Sequence, residues 1–217
     1  MHKIRSYGKR EGQGIVEFAL VLPFLLLLII GMVDVGYAFY DYMELVGANR
    51  EGVRLGSRGR FEDPSIATRV VNAGGILEVG GEPKSKYITS GPNSNFGLII
   101  TRFPIDVDGS LDYAGVTRFV TGTLTLDDGS RRPIVEADSR IDDAAAYESV
   151  HGDITGKINE RRVAEDYEPQ ESEIIVIETF YAHEPFFPTF MDLLQMPSPL
   201  TLYQSAGMRV MRDSRND

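Results

Sequence analysis

The sequence predicts an α+β protein. One long N-terminal helix, apolar enough to cross a membrane and amphipathic beyond it, packs on a small, mostly antiparallel β-sheet. Three observations predict this. An uncharged, apolar run fills Phe18–Val33. Apolar positions then recur at three- and four-residue steps as far as Val53. After Gly74-Gly75 the pattern changes to period two, punctuated by Asp-Gly and proline turns.

The apolar run comes first. Its sixteen residues reach only about 24 Å at 1.5 Å per residue, and a bilayer core of about 30 Å needs roughly twenty. Adding Ile15–Glu17 and Asp34–Ala38 closes the gap and puts the two acids near the interfaces. Phe18, Leu20, Val21, Leu22, the block Phe24–Ile30 and Val33 favour insertion by about 4–7 kcal/mol together. Glu17 and Asp34 oppose it less at the membrane edges than the 2.5–3.5 kcal/mol, roughly, that each would cost at the centre. A secretory signal peptide shares the basic start, but its apolar core is usually about 7–15 residues. Here "DVGYAFYDYMELV" follows instead of a small-residue cleavage site. A soluble core helix is disfavoured because Phe24–Ile30 leaves no polar face. Pro23 lacks an N–H and crowds the carbonyl of Ala19, so a bend is expected, with or without a role.

The helix continues beyond the bilayer, with Val35, Phe39, Tyr42, Val46, Asn49 and Val53 as its stripe and Asp41, Glu44, Arg50, Glu51 and Arg54 elsewhere. "GSRGRFEDP" ends it, giving one helix from about 13 to 57. Arg50, Arg54, Arg58 and Arg60 read as a solvated helix face in preference to a lipid-headgroup patch. A short helix is expected at Pro64–Ala73. Strands are expected at Phe96–Phe103, Arg118–Leu126, Arg131–Ala137, Ser172–Ala182 and Leu200–Met211, the second and third joined through Asp128-Gly129. Residues 138–171 read as an acidic, mobile insertion with at best one weak helix. The organisation is thus a basic leader 1–12, a helix 13–57 and an outer α+β domain 58–217.

The net charge of −10 divides unevenly: +3 over residues 1–12 and −13 over 13–217. An acidic body argues against nucleic acid as a partner. Basic residues before the span put the N-terminus in the cytoplasm and residues beyond about 40 outside. No cysteine is present, which excludes thiolate metal sites and a cysteine nucleophile, and the three histidines (His2, His151, His183) are too few for a histidine-rich metal centre. "DVDGSLD" (Asp106–Asp112) invites a calcium reading, but its glycine comes fourth and no closing glutamate follows, so a turn is the better account. His183-Glu184 is a formal acid–base pair whose members face opposite sides of a strand. With no phosphate-cradling loop and no nucleophile elbow, the expectation is a protein that is not an enzyme and takes no cofactor or metal.

One stretch asks for more than an anchor. "GQGIVEFALVLP" ends a basic leader at Gly12, places Glu17 five residues on and then begins an apolar helix. This resembles the N-terminus of type IV pilin-like precursors, and more closely the TadE-like pseudopilins of the tight-adherence (Flp) pilus apparatus. "MVDVGYAFYD", with Asp34 and Gly36, and "ANREGVRLGS", across Ala48–Arg54, extend the likeness; it returns faintly in "IIVIETFYAHEPFFP" and "LTLYQSAGMRVMR". The middle of the chain does not share it, and Val53 departs from the family's usual alanine.

The resemblance implies a pseudopilin or minor pilin in the bacterial cytoplasmic membrane or in a pilus, taking part in Tad/Flp pilus assembly. It implies cleavage by a membrane-embedded prepilin peptidase between Gly12 and Gln13. Glycine there lets the backbone lie extended in a narrow site. The implied partners are lipid, the peptidase and other pilins through the N-terminal helix. Glu17, compensated by a neighbour's terminal ammonium, would set register, and Pro23 and Asp34 belong to the same assembly surface. Two alternatives stay open: Glu17 merely solvated among headgroups, and the whole chain a membrane-tethered binding module with an uncleaved anchor.

Overall fold

The computed structural model describes residues 13–59, 61–79, 82–141, 152–188, 191, 195 and 197–210. The expectations placed on residues 1–12, including Gly12, and on Arg60, His151 and residues 142–150 lie outside these residues.

Helix α1 runs Gln13–Gly56, unbroken through Pro23. Helix α2, Asp63–Ala73, starts on Asp63 and Pro64, a residue pair suited to a first turn, and buries Ile66, Ala67 and Val70. A hairpin of β1 (Ile76–Val79) and β2 (Glu82–Ser85) follows. The main sheet is built from β3 (Phe96–Ile105), β4 (Thr117–Thr125), β5 (Arg131–Pro133), β6 (Ser172–His183) and β7 (Leu200–Val210). Their spatial order is β5-β4-β3-β6-β7 and every neighbouring pair is antiparallel. The fold is therefore the α+β arrangement expected, with β6, between β3 and β7, as its fully buried strand.

α1 and β6 run in opposite directions, and their cross-contacts step along both. His183 meets Asp41, the carbonyl of Ile177 meets Asn49, and Ile175 lies against Gly56. The principal core lies between the helices and one sheet face: Leu45, Ala48 and Val53 of α1, the α2 triplet, Leu98, Ile100, Ile175 and Ile177. The opposite face carries two smaller clusters, one around Phe103, Ile105 and Ile174 and the other around Ile99, Ile134 and Phe180. Within that face Glu178 is fully buried, accepting from Ser139 Oγ (2.5 Å), the Arg140 N–H (2.8 Å) and Tyr203 OH (2.9 Å).

The structure differs from the sequence reading at four places. First, the docking stripe of α1 is Asp34, Asp41, Leu45, Ala48, Asn49, Gly52, Val53 and Gly56. Of the stripe expected, Asn49 and Val53 are on it and Val46 is half-buried. Val35, Phe39 and Tyr42 are exposed, at 70%, 63% and 36%, and Asp41 points inward. Close helix packing selects small residues, which frees the large apolar ones to face away. Second, β5 stops at Pro133 and does not reach Ala137. The Asp138 carboxylate takes both the Arg132 guanidinium and the Val135 N–H, folding residues 136–138 into a 3₁₀ turn. Third, β1 and β2 were not expected. Fourth, the one helix allowed for in the 138–171 stretch is present as α3, Asp153–Ala164, and is docked, Asn159 donating to the carbonyls of Val107 (2.7 Å) and Gln170 (2.9 Å).

"DVDGSLD" and "LDDGS" are the same turn built twice. Asp108 and Asp128 each accept from the N–H and hydroxyl of the serine two residues on, and Gly109 and Gly129 take positive φ (93° and 79°). The Asp108 and Asp128 acceptors are thus turned inward on their own loops, which holds both carboxyls below the ordinary range.

Candidate functional site: the helix and its junction with the head

Residues 14–33 of α1 are exposed apart from half-buried Ile30 and Gly31. These twenty or so residues span about 30 Å, the thickness of a bilayer core. The helix is long and apolar enough to cross a membrane, and the most hydropathic part of it is not buried against the rest of the chain. Exposed Phe18, Leu20, Phe24 and Leu26 would oppose solution in water at about 25 cal/mol per Å² of apolar surface. Lipid removes that cost.

At Asp34 the environment changes. Asp34 is buried, and its Oδ1 accepts from the Phe186 N–H at 2.9 Å. Three residues on, the Tyr37 ring meets that of Phe186, with centroids 4.6 Å apart. One turn further, Asp41 is held from two sides. His183 Nδ1 lies 2.5 Å from Asp41 Oδ2, and Lys86 Nζ pairs with Asp41 Oδ1 and, at 2.8 Å, with Glu44. Lys86 also sits over the rings of Tyr40 and Tyr181, at 5.5 and 5.4 Å. Burial works against ionisation of Asp41, but the hydrogen bonds from His183 and Lys86 outweigh it and hold its carboxyl below the usual range. Burial likewise disfavours the charge on Lys86, and the bonds to Asp41 and Glu44 reverse that, raising its pKa. His183 Nε2, Asp34 Oδ2 and Tyr87 OH are buried without a hydrogen-bond partner.

Two further ties continue up the stripe. Asn49 Nδ2 donates to the Gln204 carbonyl (3.0 Å), fixing α1 to β7. Glu51 bridges Arg54 and Arg69 (2.9 and 3.0 Å), joining α1 to α2 on the solvent side. Arg54 therefore belongs to a solvated, paired face. An open groove of about 630 Å³ lies where α2 begins, over Phe61, Arg102 and Glu173. Arg102 is already bonded to Asp63, Glu173 and the Phe61 carbonyl. Among the described residues no cluster of three or more potential metal ligands is present. Glu184, exposed and one residue past the end of β6, pairs with Arg131 and not with His183.

The predicted positions are thus dispersed along one helix. Gln13 is the first residue of it that the structure describes, Glu17 is exposed one turn on, Pro23 lies mid-span and Asp34 begins the junction. The residues that sequence reasoning passed over are Asp41, Lys86 and His183 as a set. Asp34, Asp41 and Ala48 fall at seven-residue steps on one face. That spacing was the available signal, but a search for apolar periodicity discards it.

This architecture, one membrane-capable helix among the described residues joined to a sheet domain, fits a single-pass membrane protein. Residues 12–54 match the family described as TadE-like protein, a match that covers the apolar span and the junction stripe nearly to the end of α1. The N-terminal segment is accordingly TadE-like, consistent with the Tad/Flp pilus system. No curated protein and no solved structure matches the chain.

Proposed function

We propose that this protein is a non-enzymatic pseudopilin or minor pilin of a Tad/Flp-type pilus, matured by prepilin peptidase between Gly12 and Gln13. The observation that carries the reading is the TadE-like match over residues 12–54, which begins at the glycine where the basic leader gives way to an apolar helix. The position of Glu17, exposed on the apolar helix one turn from the new terminus, supports it. A carboxylate there is tolerable in lipid when a neighbouring subunit's terminal ammonium compensates it, and that restriction selects one register. Partner pilins engage the exposed helix, and the sheet domain lies on the extracytoplasmic side, as the positive-inside rule requires.

Intact mass and N-terminal peptide mapping of the native protein, from cells with and without an active prepilin peptidase, test this. A chain starting at Gln13 only when the peptidase is active is expected. An intact leader in both strains favours the tethered binding module instead. With processing established, Glu17→Ala is expected to insert normally and fail to recover its pilin partners on co-purification.

A further inference from the structure

We infer that the loop Pro185–Pro188 is a second membrane contact, with the exposed rings of Phe186 and Phe187 seated in the headgroup–acyl boundary of the bilayer that α1 crosses. This rests on α1 being a membrane span. It goes further by fixing the height and tilt of the head over the lipid.

Phe186 and Phe187 are 61% and 43% exposed, two adjacent large apolar side chains on a loop that otherwise closes the buried strand β6. The loop is not free to wander. Its Phe186 N–H is bonded to the buried Asp34, its Phe186 ring rests on Tyr37, and Pro185 is buried. Asp34 follows directly on the apolar stretch whose length matches a bilayer core. The tether therefore holds both rings at the level where that stretch leaves the hydrocarbon. Tyr37 and Tyr40 stand about 4.5 and 9 Å further along α1 than Asp34, both exposed, and tyrosine is enriched at membrane interfaces. The occupant is thus lipid, by continuity with the span. A protein partner would have to reach a surface lying against the bilayer.

The Asp34 bond also gives a reason for a carboxylate at the membrane edge. It satisfies the backbone N–H of a loop that lipid cannot hydrogen-bond. Rings at this depth reach about 5–10 Å into the boundary region.

The chain has no tryptophan, so Phe187→Trp introduces a sole indole. The full-length variant is reconstituted in phosphatidylcholine–phosphatidylglycerol vesicles, beside two single-tryptophan references. Phe24→Trp replaces a 72%-exposed residue within the span. Tyr113→Trp lies beyond the far end of β6, about 36 Å away along that strand at 3.3 Å per residue. The expected result for Phe187→Trp is blue-shifted emission, lost with lipids brominated high on the acyl chains and resistant to aqueous acrylamide. Tyr113→Trp is expected to behave oppositely, and Phe24→Trp to lose emission with deeply brominated lipid. If Phe24→Trp is quenched by lipid while Phe187→Trp is quenched by acrylamide, or shielded from both agents as by a second copy, the inference is overturned and the span stands. If Phe24→Trp escapes lipid quenching, the span fails and the inference with it. Phe186→Trp provides an independent second reading under the same criteria.

Discussion

Asp41 is buried beside two groups that carry or can carry positive charge, so its contribution depends on protonation. Its folded pKa is depressed. It therefore contributes stability that is complete above the unfolded aspartate pKa of about 3.9 and is lost as pH falls through the lower folded value. Lys86, with a raised pKa, contributes below its unfolded value of about 10.4 and loses that contribution as pH rises through the folded one. The junction is thus strongest between roughly pH 4 and pH 10. Asp41→Asn leaves His183 without its carboxylate and Lys86 with Glu44 alone, at a cost of about 1.5–3 kcal/mol at neutral pH. Thermal unfolding of the full-length protein in detergent, followed by circular dichroism from pH 3 to pH 10, checks both points. The variant is expected to melt lower by about 2–4 °C per kcal/mol, and its loss of stability in acid is expected to be shallower than wild type. An equal acid dependence in both proteins would remove Asp41 as its source.

At the scale of elements, α1 lies close against the sheet because two of its positions have no side chain. A Cβ on Gly52 would stand 2.3 Å from Val70 Cγ2 and 2.8 Å from Ile177 Cδ1, and one on Gly56 would stand 2.4 Å from Ile175 Cδ1. All three neighbours are fully buried and branched, so they cannot swing aside. Gly52→Val is expected to destabilise by about 1–3 kcal/mol through overpacking. Gly47, on the same helix, faces open space, and Gly47→Ala is expected to stabilise by about 0.5–1 kcal/mol through helix propensity alone. Denaturant titration of the two variants side by side tests the contrast, and equal shifts would mean that α1 does not pack this closely. The same pair of positions shows what could be read from the sequence. The apolar span, the helix end near Gly56, β3, β4, β6 and β7 were legible because each repeats a simple period against clear turn residues. The phase of the junction stripe was not. Most of its members are small, polar or charged, and the partners of Asp41, Lys86 and His183, lie 45 and 142 residues from it. The Ala48–Arg54 likeness did mark the right segment. Its physical content, a surface for intramolecular docking through Ala48, Asn49 and Gly52, needed the fold. β5 was overextended because the competition of Asp138 for Arg132 and the Val135 N–H depends on a bend that periodicity does not record.

For the whole molecule, the junction divides the chain into parts with different solvents. Every tie between α1 and the head described above begins at Asp34 or later, whereas residues 14–33 present their side chains outward. A fragment covering residues 34–217 therefore keeps the Asp34, Asp41, Asn49 and Glu51 contacts, together with a net charge of −12 that opposes association. It is expected to remain in solution without detergent and to unfold cooperatively within about 5 °C of the full chain, a shift worth roughly 1–2 kcal/mol. A fragment starting at residue 50 loses Leu45, Ala48 and Asn49 from the core and leaves Lys86 and His183 without Asp41. That exposes the helix-facing side of β6 and β7, and the fragment is expected to aggregate. Gel filtration and thermal melts of both fragments decide the matter. If residues 34–217 require detergent to stay folded, the span must be holding the head, and the division at Asp34 fails. If they fold alone, the head is a separable body, and the pilin contacts proposed above are expected on residues 14–33 and on the exposed stripe of Val35 and Phe39.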